Sequence, residues 1–233
     1  MFKFKNIILL LAVASFFLAS CSSHHSRHRY SRSSSHMTPA HSMKDLDNQS
    51  RSVKPHLVYS YPKNARFGNA SFVDLAPLKY KILKYINSVR SQGNSCGPAA
   101  PPLGWNTKLE NAAVMHAQDM ASKGFLGHLG SGQDTDPAKK GPGQGSNFYE
   151  RIIYAGYPIK PGEVAGEILT YTKYTIVGNK DAYAHFSHAV DNFLRSKAHC
   201  EILMNRRFHD VGVASYKDHE KMYWVIEFAE VNY

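Results

Sequence analysis

The C-terminal stretch constrains the fold most. Val211-Gly212-Val213-Ala214-Ser215-Tyr216 and Met222-Tyr223-Trp224-Val225-Ile226-Glu227-Phe228 are two runs rich in β-branched and aromatic residues. A short polar segment separates them, so they are expected to pair as an antiparallel hairpin. A hairpin of this kind needs apolar cover, and the preceding sequence offers it as helices. Leu78, Ile82, Tyr85, Ile86 and Val89 recur at helical spacing before Gly93. Thr107 and Glu110 form a capping-box pattern that opens a second helix, with Leu109, Ala113, His116 or Ala117, and Met120 on one face and Gly124 at its end. A third helix is expected from Asn147 to Tyr154, capped by Asn147 and Glu150. A fourth starts near Asp181, with Ala189, Val190, Phe193 and Leu194 on its apolar side. Val164 to Thr172 is a further strand candidate. Helices followed by a terminal hairpin imply an α+β domain with helices packed on a small antiparallel sheet.

The first 20 residues do not belong to that domain. Lys3 and Lys5 precede the apolar run Ile7–Phe17, which is shorter than the roughly 20 residues needed to span a bilayer. This is the layout of a signal peptide. Leu18-Ala19-Ser20-Cys21 resembles the lipobox of bacterial lipoproteins, which makes Cys21 the expected lipid-acceptor residue. Ser22 follows it in place of an acid, which favours the outer over the inner membrane of a double-membraned cell. Residues 21–71 then read as a tether dominated by Ser, His and Arg, with six histidines between His24 and His56. Such a segment buries too little apolar surface to offset its ordering entropy. As a coil of about 50 residues it would reach on the order of 40 Å. The folded domain is expected over 72–233. The formal charge of +10 is concentrated outside it: residues 75–233 carry 18 Lys and Arg against 15 Asp and Glu. That balance and the export signal exclude a nucleic-acid partner.

Within the domain, an ordered series of short motifs resembles the CAP superfamily of cysteine-rich secretory, antigen 5 and pathogenesis-related proteins, also called SCP-like. The series runs Trp105-Asn106, Leu109, Ala112-Ala113, His116, Asp119-Met120-Ala121 and Gly127-His128. It continues with Arg151, Ala155-Gly156-Tyr157, Gly166-Glu167, Phe193 to His199, Ile202-Leu203-Met204-Asn205, Phe208, Val211-Gly212-Val213 and Tyr223-Trp224. The resemblance covers residues 77–230 and implies a three-layer α-β-α sandwich. Departures occur at informative places. Ile168 stands where the family usually has Asn, and Phe193 where it usually has Trp. Ser196 stands where animal members carry a second glutamate. Three of the family's four cleft residues therefore carry over: His128, Glu167 and His199. Cys96 and Cys200 match cysteines of bacterial relatives, and with Cys21 set aside they are an even pair in an oxidising compartment, so a disulfide is expected.

Two imidazoles and a carboxylate can hold Zn²⁺ with an open position, or act as acid and base near neutral pH. The resemblance therefore implies a binding cleft of His128, Glu167 and His199, with His128 and His199 as metal ligands, and zinc as the cofactor to consider. It also implies a lipid, sterol-like or envelope-polymer ligand. The expected protein is a lipid-anchored extracytoplasmic module of a bacterial envelope that binds or builds, with the membrane as a partner through Cys21. The competing expectation is a metal-dependent, peptidase-like hydrolase. Other histidines read as structural: His116 as half-buried, His185 and His188 as part of a solvated helix face. Residues 130–146, rich in Gly and polar residues, read as a mobile flap beside the cleft or, equally, as a plain surface excursion.

Overall fold

The structure, a computed structural model, describes residues 68–178 and 180–230. The signal segment, Cys21 and the tether as far as residue 67 lie outside the described residues. Strand β1 (Ser71–Phe72) is followed by a 3-10 turn, Ala76–Leu78, and helix α1 (Lys79–Gln92). Then come β2 (Gly104–Trp105), α2 (Thr107–Lys123), α3 (Phe148–Tyr154) and β3 (Ala165–Lys173). The short α4 (Tyr174–Val177), α5 (Ala182–Arg195) and α6 (Lys197–Leu203) precede the hairpin of β4 (Asp210–Lys217) and β5 (Lys221–Ala229).

The sheet runs β1-β4-β5-β3, with β2 pairing β4 in parallel. The hairpin strands pair antiparallel, as their composition requires, from Asp210 opposite Ala229 to Lys217 opposite Met222. β3 lies antiparallel to β5 at the outer edge. Alternation along each strand then sorts the side chains into two cores. Ile168, Val211, Val213, Met222, Trp224, Ile226 and Phe228 pack with Ile82, Ile86, Phe186, Val190, Phe193 and Leu203, from α1, α5 and α6. On the opposite face, Leu169, Ala214, Tyr216, Tyr223 and Val225 meet Ala113, Ala117 and Met120 of α2. Ala165 and Ala229 meet Leu109, Met115 and Ile152 of α2 and α3. The result is the three-layer α-β-α sandwich. Ile168, where the family usually has Asn, is fully buried in the first core.

Several local expectations need correction. Helix α2 is capped by Asn106, whose side chain accepts from the backbone N–H of Lys108 and Leu109. Thr107 is already the first helical residue. Glu110 is released from the capping role and bonds Lys79 Nζ at 2.6 Å and Trp105 Nε1 at 2.9 Å. Helix α3 keeps its full capping box of Asn147 and Glu150, and Asp181 caps α5. His185 is fully buried, not solvated. Its Nε2–H donates to the Gly178 carbonyl at 3.1 Å, and its Nδ1 accepts from Thr172 Oγ1 at 2.7 Å.

Residues 130–146 are internally bonded and not a structureless stretch. Two buried aspartates organise it. Asp119 of α2 accepts from the Ser131 N–H and hydroxyl and from the Thr135 hydroxyl. Asp136 accepts from the N–H of Gly132 and Ser146 and from the Ser146 hydroxyl. The glycines let the chain close on itself: a Cβ on Gly145 would sit 1.8 Å from the Gly130 carbonyl oxygen. The glycine and polar content that reads as flexibility is here the condition for close backbone approach.

Candidate binding site

The site starts from a carboxylate pointing into the α2–α3 side of the sheet. Glu167 is on β3, between Ala165 and Leu169 on the same face, and its side chain is fully buried. Burial pushes its carboxyl up, but the Arg151 guanidinium above all, together with the bond from His128, overcomes that and holds it well below the usual carboxylate range. Glu167 is therefore an anion. Both its oxygens are taken: Oε2 accepts from Arg151 Nη2 at 2.7 Å, and Oε1 from His128 Nδ1 at 2.7 Å.

Arg151 comes from α3 and is 1 % exposed. Its guanidinium also donates to the carbonyls of Ser146 at 2.7 Å and His128 at 2.9 Å. It thus fixes the C-terminal end of the 130–146 loop and the backbone of His128 at once. Because Glu167 can only accept, His128 carries a proton on Nδ1. The His128 side chain is 40 % exposed.

His116, on α2, sits beneath the loop and is fully buried. Its Nε2–H donates to the Gly127 carbonyl at 2.7 Å, which fixes the backbone next to His128. Burial first, then the Arg151 charge, lower its imidazole to about 4, against the pull of Glu167, the Gly127 carbonyl and Asp119. Its 3.9 Å approach to Glu167 Oε2 is therefore a contact with a neutral ring, not an ion pair.

His199 arrives from the other layer, on α6, with its ring 5.4 Å from Phe193 in edge contact. Burial and then the nearby His128 lower its imidazole from the ordinary value. Two clamps hold α6. The Cys96–Cys200 disulfide ties it to the segment after α1 across 104 residues. The buried Arg90 of α1 donates to the carbonyls of Leu203 at 2.6 Å and Asn205 at 3.1 Å, at the helix C-terminus. Ser196, where a second acid would stand in animal members, is the residue joining α5 to α6.

The donor set tests what a metal would find. With both Glu167 oxygens engaged, a cation would meet His128 Nε2 and His199. Glu167 would then be the outer partner that fixes the His128 tautomer, an arrangement common behind ligating histidines. Among the described residues no three His, Cys, Asp or Glu side chains are grouped to hold a metal ion. Sequence reasoning placed Arg151 only at a helix end and missed the role of His116 and the burial of Glu227 on β5. The signals were present: an arginine on the short third helix, and an acid inside an otherwise apolar strand.

The chain belongs to the cysteine-rich secretory protein family, CAP, whose sequence model matches residues 83–228. No curated protein sequence matches it significantly. Among solved structures, an extracellular protein containing an SCP domain from Bacillus anthracis is similar at 19 % identity with a TM-score of 0.47, over 65 % of this chain and 40 % of that one. The chain thus spans less than half of that protein's length. An outer surface protein from Borrelia burgdorferi is similar at 16 % identity and a TM-score of 0.47, over 70 % and 99 % of the two chains. NaASP2, solved with Zn²⁺, is similar at 13 % identity and a TM-score of 0.42, over 66 % and 79 %. Among the described residues no helix is long and apolar enough to cross a membrane.

Proposed function

We propose that this CAP domain is a binding module of a bacterial cell envelope, exported and held at a membrane by a lipid on Cys21, with the cleft at His128 and His199 as its ligand site. The observation that carries the reading is the pairing of both Glu167 oxygens. One accepts from His128 and the other from Arg151, so the carboxylate orients an imidazole and is not itself a free base. The thiol next to His199 in the chain is closed in a disulfide and offers no nucleophile. Both points favour holding a ligand over turning over a peptide, and they weigh against the hydrolase alternative. The cleft suits a weakly held divalent cation, with His128 Nε2 and His199 as its two nitrogens. Such a cation would supply an electrophilic point for an anionic or carbonyl oxygen of a lipid or envelope polymer.

Zinc titration by calorimetry tests this. The protein used would be the full mature chain with Cys21→Ser and the six tether histidines replaced by glutamine, beside the same protein carrying His128→Ala or His199→Ala. One weak site, lost in both single variants, is the expected result. Binding that survives either substitution would move the cation elsewhere and remove this reading of the cleft.

A further inference from the structure

The register of the sheet places a second carboxyl group behind the first. Glu167 on β3 and Glu227 on β5 are direct cross-strand partners. Both point to the α2–α3 side, since Glu227 alternates with Val225 and Ala229 of that face. Directly opposed side chains in an antiparallel pair stand about 5 Å apart at Cβ. Both carboxyls are buried, at 2 % and 0 % exposure. Beside Glu227 on β4 is Gly212, whose missing Cβ lets α2 press onto the sheet. A carbon there would lie 2.0 Å from the backbone nitrogen of Glu110. The backbone of α2 therefore closes over this part of the strand and keeps bulk water out.

The hydrogen-bond inventory then decides the charge state. Glu167 receives N–H donors from His128 and Arg151, and each favours its anion. Glu227 receives none: as an ionised group, both its oxygens would be buried without a partner among the described residues. Nearby Arg151 already serves Glu167, and His116 spends its Nε2–H on the Gly127 carbonyl. Two opposed carboxylates would repel, and the one guanidinium at hand is paired with Glu167. A single proton removes both difficulties, because a protonated carboxyl is a donor, and Glu167 keeps unused lone pairs to accept it.

We propose that Glu227 is a positioning residue of the cleft: a neutral acid that donates its proton to Glu167 and leaves Glu167 as the one anion behind His128. Burial first, and then the Glu167 carboxylate, push the Glu227 carboxyl well above its ordinary range, in keeping with the geometry. With a third donor, the Glu167 carboxylate is fixed from three sides, and so is the ring whose Nδ1–H it accepts. The inference does not depend on whether the cleft takes a cation.

Infrared spectroscopy of the full mature chain at pH 7, in water and in D₂O, reads the proton directly. The expected spectrum contains the carbonyl band of a buried protonated carboxylic acid. Glu227→Gln, which keeps a donor and adds no charge, should abolish that band. It should leave the melting temperature and the low-field proton resonance of His128 Nδ1–H as in the wild type. Glu227→Leu removes the donor and should shift or broaden that resonance. Absence of the band from the wild type, or its persistence in Glu227→Gln, overturns the proposal. So does a change in the His128 resonance as large in Glu227→Gln as in Glu227→Leu. If Glu227→Leu does not fold, the band in the wild type and its loss in Glu227→Gln still decide.

Discussion

His116 makes the acid sensitivity of this domain calculable. The imidazole is buried, neutral and lowered from 6.5 to about 4. Between those values the unfolded chain binds a proton that the folded chain refuses, so stability must fall as the pH drops through this window. Each unit of separation corresponds to 1.36 kcal/mol, so His116 alone removes about 3 kcal/mol between pH 7 and pH 4. Glu227 tilts the other way. Its carboxyl is raised, so its contribution is complete below the ordinary carboxylate value and is lost as the pH rises through its folded value. A comparison with a variant cancels that opposing slope. His116→Gln retains an amide donor for the Gly127 carbonyl but does not titrate. Urea unfolding of both proteins at pH 7, 6, 5 and 4 gives the test. The wild type should lose about 3 kcal/mol relative to His116→Gln over that range, with most of the change between pH 6.5 and pH 4. A stability difference that stays flat across the four pH values would refute the assignment of His116 as a neutral, desolvated ring.

Other substitutions probe the rest of the architecture. Arg151→Met strips the buried Glu167 of its counter-charge and should destabilise the fold by about 3–5 kcal/mol in denaturant titrations, as loss of one partner of a buried pair does. Gly145→Ala forces a carbon onto the Gly130 carbonyl and should cost on the order of 1–3 kcal/mol, like other overpacking changes. Gly143→Ala, at a positive φ of 72° in open space, should cost about 1 kcal/mol, near the ordinary glycine penalty. Equal, negligible effects of the two would restore a flap at 130–146. Globomycin should cause an unprocessed precursor to accumulate, and Cys21→Ala should release the protein from the membrane fraction. A normally processed, membrane-bound Cys21→Ala protein would end the anchor reading.

The fold was legible wherever one local signal dominated. The β4–β5 hairpin follows from two apolar runs and a polar turn, and α3 and α5 begin at Asn147 and Asp181 because those side chains cap them. The start of α2 differs by one residue from the sequence expectation, since Thr107 and Asn106 are both good caps and only the backbone decides between them. Helix α6 escapes sequence reasoning because seven residues after a helix end have no period of their own. It is held by the disulfide at Cys200 and the carbonyl bonds to Arg90, both made with distant segments. The 130–146 loop misleads for a related reason. Its order comes from Asp119 and Asp136, and a buried aspartate collecting N–H donors looks, in sequence, like any surface acid.

The site divides along the same line. His128, Glu167 and His199 could be named from motif resemblance, but their division of labour depends on which oxygen each neighbour takes. By resemblance, animal members carry a second glutamate at the position of Ser196, the residue joining α5 to α6. In this chain a second buried carboxyl is on β5, opposite Glu167 across the strand pair. The placement changes the electrostatics more than the count does. An acid lining the proposed site would add a negative ligand to it. A buried acid behind Glu167 keeps its proton and adds none. Arg151 then balances Glu167, and in the proposed site His128 and His199 would meet a ligand over an internally compensated base. Attraction for a bare cation would be correspondingly weak, and a ligand with an apolar body and one oxygen donor would have less desolvation to overcome there than a strongly charged one.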